Sequence, residues 1–100
     1  MTHRLTIQYG EPAEAEAFDQ HYFDIHVPLC QPLPGLRGAS FSKPRALGGG
    51  AAPYLVAELD FDDADALMAA LRSPEMAALA ADAETLDATR TMFTGEVRSG

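Results

Sequence analysis

Phe18 to Leu29 reads FDQHYFDIHVPL. The stretch has the pattern of the back half of a helix that stops at a proline, with segments of strand character before and after it. At roughly 100° per residue, Phe18, Tyr22, Ile25 and Leu29 fall within an arc of about 60°. That is the i, i+4, i+7, i+11 stripe of a helix packed on a core. His21 lies just off one edge of this stripe and His26 just off the other. Tyr22 and His26 are four residues apart, so their side chains can meet on one face. His26 falls in the last turn, where the helix dipole favours an imidazolium. Pro28 is expected to end the regular turns and to push Val27 toward an extended conformation.

Two readings of this pair stand side by side. A helix-borne tyrosine commonly packs its ring in the core, and a histidine at a helix end is often only a dipole partner. A phenol and an imidazole at the rim of a packed face can also do acid–base chemistry, because histidine changes charge near neutral pH.

Working outward, His3 to Tyr9 alternates, with Leu5, Ile7 and Tyr9 on one face of a strand. Gly10-Glu11-Pro12 breaks it, and the first helix is expected from about Ala13 to Val27. QPLPGLRG, Gln31 to Gly38, is irregular. Ala39 to Lys43 reads as a short strand, and the loop with Gly48-Gly49-Gly50 follows. That glycine run lacks both a P-loop lysine and dinucleotide spacing. Tyr54 to Phe61 is the clearest strand, with Leu55, Ala57, Leu59 and Phe61 on one face. Asp62 is expected to cap the next helix, and Ser73-Pro74 a further one reaching about Ala81. Arg90 to Arg98 reads as a last strand, with Phe93 and Val97 on one face and Met92, Thr94 and Glu96 on the other. The order β-α-β-β-α(α)-β predicts an α+β, ferredoxin-like βαββαβ fold, an antiparallel four-stranded sheet with helices on one face.

One hundred residues predict one domain spanning 1–100. A chain of this length builds one modest core, so a pocket is more easily completed by a second copy. The net charge of −8 and the absence of any Lys/Arg run argue against nucleic acid and anionic membranes as partners. Cys30 is the only cysteine, which fits a reducing compartment. No apolar run reaches membrane length and the N-terminus has no apolar leader core, so a cytoplasmic protein is expected.

The uncovered sheet face is expected to carry Thr6, Gln8, Ser40, Ser42, Val56, Glu58, Met92 and Thr94. Small polar groups with scattered apolar ones suit a sheet that meets a second sheet around a wet cavity. On this reading two subunits make a barrel-like dimer, with Glu58 projecting into the cavity; an ordinary solvated face is the plainer alternative.

The chain resembles the EthD family of dimeric α/β-barrel proteins, named for ethyl tert-butyl ether degradation. The carrying segments are LTIQYGEP, AFDQHYFDIHVPL with Tyr22, His26, Pro28 and Leu29, the PGLRG turn, GGGAAPYLVAELDFD and the LRSPEM step. The resemblance implies a homodimer and a role in small-molecule catabolism; members are often labelled oxidoreductases. Other proteins of this fold run many reactions, so the fold does not choose one.

The expectation is therefore a cofactor-independent enzyme acting on a small, apolar, oxygenated substrate. His26 would be the general acid or base, and Tyr22 would orient it or polarise a carbonyl. Phe18, Gln8, Glu58 and Tyr54 are the substrate-binding candidates. The alternatives are a ligand-binding or accessory protein without chemistry and a purely structural dimer. No metal is expected, since His21 and His26 are five apart and His3 is remote. A Cys30–His26 nucleophilic pair is interrupted by Pro28, and nothing in the sequence supports haem, NAD(P) or flavin.

Overall fold

The computed structural model describes residues 1–100. Strand β1 (His3–Tyr9) is central. It pairs antiparallel with β3 (Leu55–Phe61) on one side and β4 (Arg90–Glu96) on the other, and β2 (Gly38–Ser42) adds to β3. The sheet order is β2-β3-β1-β4. The alternation of β1 and β3 does what it predicts. Leu5, Ile7 and Tyr9 lie opposite Leu59, Ala57 and Leu55, and all six are buried under the helices. Each large apolar side chain buried in this way contributes about 1.5–3 kcal/mol.

Helix α1 (Ala15–His21) runs without a break into a π-helical segment (Tyr22–His26) and then into a short α-helical turn, α2 (Val27–Cys30). The Val27 N–H donates to the Tyr22 carbonyl, five residues back. The expected stop at Pro28 is therefore corrected: the helix passes through the proline to Cys30. A proline ring clashes with the carbonyl four residues earlier and offers it no N–H. Widening the turn moves that carbonyl aside, so the chain can stay helical.

The widening also resets the buried stripe. The buried residues are Phe18, Tyr22, His26 and Cys30, an i, i+4, i+8, i+12 series. In a regular helix such a series drifts round the surface; a turn that takes more than four residues to close holds it on one face. Ile25, assigned to the core from spacing, is half exposed, and His26, assigned to the rim, is 3% exposed.

Gly35 closes the PLPGL turn with φ +75, a left-handed conformation that suits glycine. Helix α3 (Ala64–Leu71) is capped by Asp63, not Asp62: the Asp63 carboxylate accepts from the Ala66 N–H at 2.8 Å, and Asp62 instead pairs with Arg37. Helix α4 (Pro74–Ala83) starts as read, with the Ser73 hydroxyl accepting from the Met76 N–H, and extends two residues beyond the expected end. No helix is long and apolar enough to cross a membrane.

Strand β4 corrects a second expectation. Its register sets Met92 opposite Ile7 and Thr94 opposite Leu5, on the helix-covered face, whereas Phe93 lies opposite Thr6 on the open face. Both faces of β4 mix apolar with polar residues, so alternation alone could not orient it; pairing with β1 does. The open face thus carries Thr6, Gln8, Ser40, Ser42, Val56, Glu58 and Phe93.

Candidate active site

Two helices bring the site together. The π segment turns His26 inward, and α4 delivers Asp82 to it. The Asp82 carboxylate lies 2.8 Å from His26 Nδ1 and 2.9 and 3.1 Å from His21 Nε2. Burial alone would push the Asp82 carboxyl up, but the hydrogen bonds from His26 and His21 outweigh it and hold the group below its usual range. Asp82 is therefore ionised near neutrality and can only accept, so both ring nitrogens facing it carry hydrogens. Asp82 also occupies the last turn of α4, where the helix dipole disfavours an anion. Two imidazole donors offset that misfit.

Burial lowers the affinity of His26 for a second proton more than Asp82 raises it, with His21 and Arg90 adding to the fall. His26 thus rests neutral, with its hydrogen on Nδ1. Nε2 has no protein hydrogen-bond partner, and His26 is the one imidazole lining an apolar cavity.

That cavity, about 180 Å³, lies between the helices and the sheet. Leu5, Ile7 and Tyr9 form its floor, Met76, Leu79, Ala80 and Ala83 of α4 its roof, and Leu71 and Met92 its outer end. Leu71 and Met92 are exposed, so the cavity opens at the β4 edge. Polar groups come only from His26, Tyr9 and Arg90. The Arg90 guanidinium is turned toward the end of α4, donating to Glu84 at 3.0 Å and to the Ala83 carbonyl at 3.4 Å. Burial pushes the Tyr9 phenol up to about 12, so it stays a neutral hydrogen-bond donor. The hollow holding the imidazole therefore lies on the helix side of the sheet. It is not on the uncovered face where a second sheet would pack.

The predicted residues separate accordingly. Tyr22 stacks on the His26 ring with centroids 5.0 Å apart, and Phe18 stacks on Tyr22 at 5.5 Å. Both rings are buried; they brace the imidazole from behind and do not line the cavity. Burial, chiefly, raises the Tyr22 phenol far above its ordinary value. Tyr54 meets Phe18 edge-on but sends its hydroxyl to Asp19 at 2.8 Å, away from His26. Gln8 and Glu58 are on the opposite face of the sheet, where Glu58 pairs with Arg4. Cys30 is buried with its thiol pushed up to about 11 and directed at the His26 carbonyl, not at the ring.

Sequence reasoning missed Tyr9, Arg90 and above all Asp82. Asp82 did leave a signal: it is an acid in the last turn of an alanine-rich helix, where it is electrostatically out of place. His21 and His26, five apart and so a poor match for a shared metal, both reach it.

The EthD domain family matches residues 10–88. An uncharacterized 11.0 kDa protein from the thcB-thcC intergenic region of Rhodococcus erythropolis is 38% identical over 81 residues, covering 80% of this chain and 79% of that one. The crystal structure of an ethyl tert-butyl ether degradation (EthD) family protein from Bacillus halodurans superposes with a TM-score of 0.89 at 33% identity, over 98% of this chain and 100% of that one. SnoaB, a cofactor-independent oxygenase from Streptomyces nogalater, shares the fold with a TM-score of 0.73 at 17% identity, over 99% and 95% of the two chains. The chain belongs to the EthD domain family.

Proposed function

We propose that this protein is a cofactor-independent enzyme that removes a proton from a small, largely apolar, oxygenated molecule held between α4 and the sheet. One observation carries the reading: a buried imidazole, fixed at Nδ1 by a carboxylate and unpaired at Nε2, lines an apolar cavity. In the proposed step, a C–H or O–H bond of the substrate breaks and its proton goes to Nε2. The electron pair stays on the substrate as an enolate or phenolate, and Asp82 balances the imidazolium that forms. Tyr22 and Phe18 hold the ring plane; the Tyr9 phenol, which also lines the cavity, is the donor this reading assigns to the developing oxyanion. An isomerisation or an oxidation would each begin from this anion. The fold shared with SnoaB supports the second without choosing it.

The apolar lining also favours a second reading, a protein that binds such a molecule without converting it. Acetophenone in deuterated buffer separates the two. The expected result is deuterium entering its methyl group in the presence of the protein, with the rate falling on the order of 10²–10⁴-fold in His26→Gln. Binding without exchange supports the passive reading, and exchange that survives His26→Gln removes the base.

We also propose a homodimer formed through the open sheet face, where Phe93 and Val56 lie among small polar groups. Light scattering is expected to give twice the chain mass, and Phe93→Glu to return it to the monomer value.

A further inference from the structure

His21 takes no part in the chemistry just described, yet it is bonded to the carboxylate that holds the base. Its side chain is 38% exposed, against 4% for His26. Asp82 Oδ2 is shared between the two rings, 2.8 Å from one and 3.1 Å from the other. We propose that His21 is a positioning residue for His26: the two imidazoles and Asp82 form one acid–base unit in which a proton on either ring lowers the proton affinity of the other. The meaning for catalysis rests on His26 being the base; the coupling itself does not.

One carboxylate balances one imidazolium. Only His21 borders open solvent, in a hollow it shares with Glu14 and Asp87 on one side and near Asp24 on the other. A proton carried by the solvent-facing His21 claims the charge of Asp82. His26 is then left without a spare counter-charge and stays neutral, which is the form a base needs. The other ionisable groups facing His26 do not offer a replacement. Arg90 from β4 repels an imidazolium, while Tyr9 from β1, Tyr22 beside it and the Cys30 thiol from α2 are all held neutral by burial. His21 thereby extends to lower pH the range in which Nε2 carries no proton, while a charged His21 leaves less of Asp82 to balance an imidazolium at His26. By linkage the effect is reciprocal.

The test is an NMR titration of both rings in the unliganded protein, so it needs no substrate. In the wild type each ring should show a two-stage curve that inflects at the midpoint of the other. His21→Gln keeps an amide donor for Asp82 but never becomes charged. In it, the His26 curve should become single-stage with its midpoint moved up, and the acid limb of acetophenone exchange should move up with it. His26→Gln should shift His21 upward by the same amount. Single-site curves in the wild type, or an unmoved His26 midpoint in folded His21→Gln, overturn the proposal. Should that variant fail to fold, the wild-type curves decide alone. Loss of the base reading would instead show as exchange surviving His26→Gln.

Discussion

Asp19 on α1 and Asp82 on α4 are each held by two side-chain donors. The Asp19 carboxylate accepts from Lys43 Nζ and from the Tyr54 hydroxyl; that of Asp82 accepts from two imidazoles. In both, burial alone would raise the carboxyl and the hydrogen bonds reverse it. The difference lies in the donors. Lys43 is raised further by Asp19 and Tyr54, so it stays charged across the physiological range, and the Asp19 cluster works as a clamp between α1 and the loop edges of the sheet. Imidazoles change charge near neutrality, so the same arrangement around Asp82 can store and release a proton. Geometry alone does not separate a clamp from an acid–base device; the protonation range of the donors does.

The contrast is broken most strongly by Asp82→Asn. A neutral amide cannot balance an imidazolium, and its oxygen competes with its own NH₂ for the two rings. Acetophenone exchange is expected to fall on the order of 10²-fold or more. The group it leaves poorly paired should cost about 1–3 kcal/mol, read as several degrees of melting temperature.

Acidification sharpens the comparison with a smaller effect. The folded-state proton affinity of His26 lies below the ordinary value of 6.5, so the unfolded chain binds that proton more readily. The stability linked to His26 is complete above 6.5 and is lost as pH falls toward its folded value. Asp82 and Asp19, both held below 3.8, add further losses only beneath that value. Urea midpoints measured against pH should therefore begin to fall at 6.5, and His26→Gln should abolish this first decline while leaving the second. A flat profile between 6.5 and 4 in the wild type contradicts the assignment.

Lys43→Ala is the mildest change. Its ammonium is largely in water, so the pair is worth roughly 0.2–1 kcal/mol, less at high salt. Exchange at His26 should stay within error. A large loss of exchange would mean that the two carboxylates are not separate devices.

Much of this molecule is legible in its residues. The period-2 runs of β1 and β3 specify two central strands, and Ser73-Pro74 marks the start of α4. Tyr22 and His26 stand out as a pair because they lie four residues apart on the first helix and histidine changes charge near neutral pH. Other parts depart from local pattern. A regular 100° step does not hold across His21 to Cys30, where the helix widens, so Ile25 and His26 exchange places. In β4, apolar residues on both faces left the orientation of Met92 and Phe93 undetermined until hydrogen bonds to β1 set it.

What the sequence by itself determined is the element order, the central strands, the core they share and the presence of an imidazole on the first helix. Those follow from local periodicity and capping, which neighbouring residues encode. The partner of that imidazole came only with tertiary structure. Asp82 lies 56 residues from His26, and nothing local specifies which acid of a chain rich in them will meet it. That meeting depends on a π turn rotating one helix and on sheet pairing fixing the distance to another, both of which are properties of the packed whole.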